Sequence, residues 1–369
     1  MDYEIVKLKE IADFNRESIG KNSSYEFINY LDTANITNGT IDTIVKMPIE
    51  DAPSRAKRIV HKYDIIYSTV RPNLCHYGIL DSPVENMIVS TGFAVISCKD
   101  SVNPYYIYNY LTQNDITMQL HTIAENSTSA YPSIKPSDLE EVEIRLPKLE
   151  IQNKIAKILT DIDRKIHLNN EINNNLYEEA VALYKDKFKG IEQGEKTIGE
   201  YMLPKRGKNL LTRDAVEGEI PVVAGGLEPS AYHNQSNTKS PVITISASGA
   251  NAGYTNLWNI PVWASDCSYI DESITKNVYF WYIVLKTRQN EIFDAQTGSA
   301  QPHIYPQHIA EMPIDVLNDD EVEKYNTLVE PLFKMIGNNK TENIKLSQLR
   351  DALLPKLMNG EIDLDNIEI

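Results

Sequence analysis

Two groups of basic side chains stand out for what they could touch. Arg55, Lys57, Arg58 and Lys62 form one, and Lys205, Arg206, Lys208 and Arg213 form the other. Ammonium and guanidinium groups neutralise phosphate, and a guanidinium also forks onto the guanine edge. Lys21, Arg71, Asn73 and Tyr131 extend the first group, and Asn251 and Tyr254 the second. An asparagine amide matches the adenine edge, and an aromatic ring stacks on a base. Each residue also has an ordinary role open to it, as solvated surface charge or as hairpin packing, which Tyr63, Tyr67 and Trp258 share.

Other chemistries find less support. Gly249-Ala250-Asn251-Ala252-Gly253 is followed by no Lys-Ser/Thr pair and is no GxGxxG, so it reads as a tight loop rather than a nucleotide cradle. Such a loop lets main chain approach a DNA backbone, with Asn251 as a base reader. The 7 histidines have no zinc spacing, and no nucleophile triad or nuclease carboxylate cluster is legible. Cys75, Cys98 and Cys267 are widely separated and form no CxxC, as expected of free thiols in a reducing cytoplasm. The polar start Met1-Asp2-Tyr3-Glu4 is no signal peptide, and no apolar run is long enough to span a membrane, so the expected location is cytoplasmic. A net charge of −16 does not exclude nucleic acid, because much of the acid sits in helical patterns and the tail from Glu361.

Asn103-Pro104-Tyr105-Tyr106 resembles the Asn-Pro-Pro-Tyr motif with which adenine methyltransferases hold a flipped base, but it lacks the second proline. No glycine-rich loop for a methyl donor lies nearby. A helix start, with Asn103 as the cap, explains the same residues.

The elements that position these residues are duplicated. Ser129-Ala130-Tyr131-Pro132-Ser133-Ile134-Lys135-Pro136 returns 170 residues later as Ser299-Ala300-Gln301-Pro302-His303-Ile304-Tyr305-Pro306. Leu139, Glu141 and Ile144 then match Ile309, Glu311 and Ile314. Upstream, Asn103 to Tyr106 faces Asn277-Val278-Tyr279-Phe280, and Lys7 to Ile11 faces Lys196 to Tyr201. A period this long duplicates a whole domain rather than a solenoid turn, and it suggests a target with two similar halves. Short β-branched runs predict strands at Ile65–Val70, Met87–Thr91, Phe93–Ile96, Glu143–Leu146, Pro241–Ser246 and Ile260–Ala264, with helices at Tyr105–Leu111 and Tyr279–Lys286.

Each copy runs into a long helical pattern. Ile151, Ile155, Ile158 and Ile162, then Ile166, Ile172, Leu176, Ala180 and Leu183, form one apolar seam, with Asn169 and Asn173 on it. Val322, Tyr325, Val329, Leu332, Ile336, Asn339, Asn343, Leu346, Arg350 and Leu353 form the other. The 3-and-4 spacing predicts two long paired helices whose polar middles set register. Gly337 predicts a central kink or fray, and Leu354-Pro355 predicts an end.

Ile144-Arg145-Leu146-Pro147-Lys148-Leu149-Glu150-Ile151-Gln152-Asn153-Lys154-Ile155-Ala156-Lys157-Ile158-Leu159 resembles the opening of the first conserved helix of type I restriction-modification specificity subunits. Leu349 to Ile362 resembles the close of their second helix, whose entry here, Leu317 to Glu321, departs from the family pattern. The resemblance covers the whole chain in order and implies an α+β protein. Two pseudo-symmetric target-recognition domains, 1–146 and 190–317, would be joined by two long antiparallel coiled-coil helices, 147–189 and 318–369. It implies a noncatalytic subunit that reads double-stranded DNA at a bipartite site and docks two methyltransferase subunits and two restriction-translocase subunits. S-adenosylmethionine, ATP and Mg would be carried by those partners, with no cofactor and no metal on this chain. A self-contained adenine methyltransferase, or a fragment of a fused restriction-methylation enzyme, is the alternative from the enzyme class. A scaffold that binds no DNA is the third.

Overall fold

The structure is a computed structural model that describes residues 3–20, 25–127, 131–298, 301–362 and 364. The chain divides into two compact units, one of residues 1–165 with 345–369 and one of residues 166–344. Both mix helices and sheets.

In the first unit, Ile65–Ser68 and Phe93–Cys98 are central strands of a four-stranded sheet flanked by Ala12–Phe14 and Tyr77–Ile79. A second four-stranded sheet carries the parallel pair Phe27–Leu31 and Met87–Ser90 between the outer strands Val45–Pro48 and Ala56–Ile59. Ile65, Ala94 and Ile96 are buried against the helix Pro104–Leu111, while Ile66, Val89 and Val95 face the other way into a second cluster. That alternation is what a strand buried on both faces requires. Strand Tyr3–Lys7 pairs antiparallel with Glu143–Pro147.

The second unit repeats this order. Val242–Ser246 and Cys267–Asp271 are central, flanked by Lys205–Arg206 and Thr255–Trp258. Ile220–Val223 runs parallel to the short strand Trp263–Ala264, and Lys196–Thr197 pairs with Pro313–Ile314. The strand expected at Ile260–Ala264 is reduced to its last two residues, because Pro261 has no N–H to give a ladder. Helix Val278–Thr287 is buried along most of its length beneath Ala180, Tyr184, Tyr325 and Phe333. The weak upstream match is a true equivalence: Leu8 N–H donates to Val142 O at 2.9 Å, and Ile198 N–H donates to Met312 O at 3.0 Å.

The long helices are Leu149–Lys187 and Asp319–Met358. In the first unit, Ile151, Ile155 and Leu159 are buried, Ile158, Ile162, Leu346 and Leu353 are half-buried, and Arg350 Nη1 meets Asp163 Oδ1 at 2.9 Å. In the second, Asn169, Asn173, Val322, Tyr325, Val329 and Ile336 are buried, and Leu176, Leu183, Leu332, Asn339 and Asn343 half-buried. Asn169 and Asn173 pair with Asn343 and Asn339 respectively, so within this unit the two segments run antiparallel.

Three expectations need correction. Ile172 is 42% exposed and lies off the seam, because a step of six residues from Ile166 turns a helix through about 240°. Tyr184 is buried there instead. The second helix continues past Pro355 to Met358, so the proline falls within its last turn and does not end it, and Pro355 is exposed. It is also helical through Gly337, where the missing side chain admits Asn259: an added Cβ would stand 2.5 Å from Asn259 Cβ.

Candidate nucleic-acid interface

The repeated octapeptide is a clasp. In the first unit, Arg71 N–H donates to Pro132 O at 2.9 Å and Ile134 N–H donates to Thr69 O at 2.9 Å. In the second, Gly249 N–H donates to Pro302 O at 3.1 Å and Ile304 N–H donates to Ala247 O at 3.0 Å. Each pair ties the repeated segment to the loop that leaves a central strand. Ile134 and Ile304 are fully buried beneath it, and the prolines at 136 and 306 each open a short helix. Ser129, Ala130, Ser299 and Ala300 lie outside the described residues, as does Lys21.

Sequence reading missed Ser68 and Ser246, which brace these loops from the strand ends. Ser68 Oγ donates to Val70 O at 3.0 Å and Ser246 Oγ donates to Ser248 O at 3.5 Å. Their signal was the serine that closes each apolar strand run, Ile66-Tyr67-Ser68 and Thr244-Ile245-Ser246.

The clasp of the first unit brings three proposed residues together. Arg71 and Asn73 are exposed, and Tyr131 is 63% exposed with the Arg71 guanidinium 5.6 Å from its ring centre. Arg71 has φ +48°, a left-handed backbone that non-glycine residues rarely adopt. Gly249, at the matching place in the second unit, has φ +79°.

The remaining basic residues are dispersed. Arg55 pairs with Asp32 at 3.4 Å. Lys57 is exposed at the point where strand Ala56–Ile59 shifts register against Met87–Ser90. Its neighbour Arg58 is half-buried and reaches Ser18 Oγ at 3.4 Å, so adjacency in sequence does not make these two one patch. Lys62 lies over the Tyr63 ring at 4.6 Å. Tyr67 is core, 1% exposed and stacked on Tyr77.

In the second unit, Asp266 ties one candidate, Arg206, to the loop. It pairs with Arg206 and accepts a hydrogen bond from Ser248 Oγ. Nothing in the sequence signalled this carboxylate. Lys205, Lys208 and Arg213 are exposed, Arg213 beside Asp214 at 3.8 Å. Asn251 is half-buried in the glycine loop. Tyr254 is half-buried, with Lys286 Nζ 4.3 Å from its ring centre.

Asn103 is a helix cap. Its Oδ1 accepts from the Tyr105 and Tyr106 N–H groups at 2.9 and 3.2 Å, so that oxygen is already engaged. In the second unit the cap comes from Asn326 of the long helix, which accepts from Tyr279 and Phe280 N–H at 3.0 and 3.2 Å. Among the described residues no group of His, Cys, Asp and Glu could hold a metal ion, and no helix is long and apolar enough to cross a membrane.

Duplicated α+β units with exposed loops clasped at the ends of their central strands place the chain in a recognisable class. Residues 1–178 match the family model of the type I restriction modification DNA specificity domain. The type I restriction enzyme HindI specificity subunit of Haemophilus influenzae is 32% identical over 167 residues, 45% of this chain and 36% of that protein. The MjaIX specificity subunit of Methanocaldococcus jannaschii is 26% identical over 414 aligned residues, covering 99% of this chain and 95% of that one. The solved type I restriction-modification S subunit from M. genitalium shares the fold with a TM-score of 0.62 at 18% identity, over 97% of this chain and 96% of that one. The chain is thus similar to the type I restriction-modification specificity subunits, by the family model over residues 1–178 and by sequence along nearly its whole length.

Proposed function

We propose that this chain reads a bipartite DNA sequence, one half-site per unit, for a type I restriction-modification complex. The observation that carries this reading is the twofold occurrence of one clasp, 132–134 on 69–71 and 302–304 on 247–249, each beside exposed polar or basic side chains. The long helices act as a coiled-coil spacer that sets the gap between half-sites and docks two methyltransferase subunits. Those subunits supply S-adenosylmethionine chemistry, and two restriction-translocase subunits supply ATP- and Mg-dependent cleavage, in the cytoplasm. On this chain Arg and Lys contact phosphates, while Arg, Asn and Gln read base edges.

The test is a map of methylated adenines in cells that carry this chain with its methyltransferase subunits. Exchange of residues 190–317 for those of a relative should change one half of the methylated sequence and leave the other. Loss of both halves would show that the units do not read independently. Methyl transfer by the purified chain alone would favour the methyltransferase alternative.

A further inference from the structure

We propose that Arg71 reads a guanine in the half-site bound by the first unit, with Tyr131 as its positioning residue; this rests on the DNA-reading function proposed above. The backbone at Arg71 is left-handed, with φ +48°. A β-carbon makes that conformation unfavourable, and such residues cluster where a binding surface needs them. The matching position of the second unit carries Gly249, where an added Cβ would meet nothing within 4 Å. Glycine therefore satisfies this backbone, and the first unit holds an arginine in it instead.

The side chain has a defined neighbour as well. Arg71 N–H is tied to Pro132 O, and its guanidinium stands against the ring of Tyr131, one residue earlier in the same segment. Among the described residues no carboxylate pairs with it, whereas Arg55 and Arg206 are paired with Asp32 and Asp266. A phosphate is served by a mobile point charge. A planar fork set beside a ring on a left-handed turn suits a directional acceptor pair, and the guanine O6 and N7 atoms are that pair in the major groove. Asn73, exposed two residues on, extends the same surface.

The experiment uses the full chain with its methyltransferase subunits and a series of duplexes, each with one base pair of the mapped site replaced. Wild type should prefer guanine at one position of one half-site. Arg71→Gly suits the left-handed backbone, so the fold should survive with its melting temperature unchanged or raised. It should erase the preference at that position, a loss of roughly 10- to 100-fold in discrimination, with the other half-site untouched. Tyr131→Ala should weaken the same preference, and Tyr131→Phe should retain it. Equal weakening on all duplexes, with a salt slope smaller by about 0.9, would make Arg71 a phosphate contact and overturn the assignment. Unchanged binding would place Arg71 away from DNA and also overturn it. A wild-type complex with no sequence preference would overturn the DNA-reading function itself, an outcome separate from either.

Discussion

Asn169 Nδ2 donates to Asn343 Oδ1 at 2.8 Å, at the centre of a polar stretch between two otherwise apolar helix faces. Asn169 is 1% exposed, and it also donates to Glu342 Oε2 at 2.8 Å. Asn169→Leu should cost about 0.5–1.5 kcal/mol, because the half-buried Asn343 and the exposed Glu342 lose their donor. The double variant Asn169→Leu/Asn343→Leu should recover much of that loss while relaxing the choice of partner helix. Urea unfolding checks the first expectation, and light scattering for self-association checks the second.

Four residues inserted near Asn170 add about one helical turn, roughly 6 Å. The gap between the methylated half-sites should change and their bases should not. Methylation mapping decides: altered bases with an unaltered gap would remove the spacer role.

Gly337→Ala ordinarily favours a helix by about 1 kcal/mol. Here the new methyl group would collide with Asn259 Cβ at 2.5 Å, and Asn259 is held by its bond to Phe333 O at 3.0 Å and by Tyr279 Oη at 3.3 Å. The substitution should therefore destabilise by about 1–3 kcal/mol. Adding Asn259→Gly should return part of it, as read by thermal or urea melts.

Burial pushes the Tyr67 phenol up to about 12, whereas in an unfolded chain it ionises near 10. Its contribution is fully present below pH 10. It is lost as the pH rises toward 12, because the unfolded chain releases a proton that the fold retains. Tyr67→Phe keeps the ring against Tyr77 and should flatten the alkaline decline by about 1.4 kcal/mol per pH unit. Urea midpoints of the two proteins at pH 8 and pH 11 make the comparison. A decline of equal slope in both would show that Tyr67 does not contribute.

What was legible in the sequence followed from local rules. Proline after Asn103 marks a helix start whatever surrounds it, and the clasp segment repeats because both copies bury the same isoleucine. What was hidden depended on distant partners. Gly337 reads as a breaker until Asn259 is seen against it. Lys57 and Arg58 read as one cluster until a shift in strand register separates their environments. No residue type announces the left-handed backbone of Arg71, since the usual signal, glycine, is present only in the other copy at Gly249. The seam failed at Ile172, where a step of six residues from Ile166 leaves the face, although steps of three and seven reach the buried Asn169 and Asn173.

The strand pairing Lys196–Thr197 with Pro313–Ile314 has a consequence for how such a chain can vary. It brings the entry and exit of the intervening segment side by side, as Tyr3–Lys7 with Glu143–Pro147 does in the first unit. Each of these segments thus leaves and returns through a single doorway. What lies inside the doorway can be replaced as a cassette if the newcomer remakes those few ladder bonds and keeps the seats on the long helices, such as Asn326 under the N–H groups of residues 279 and 280.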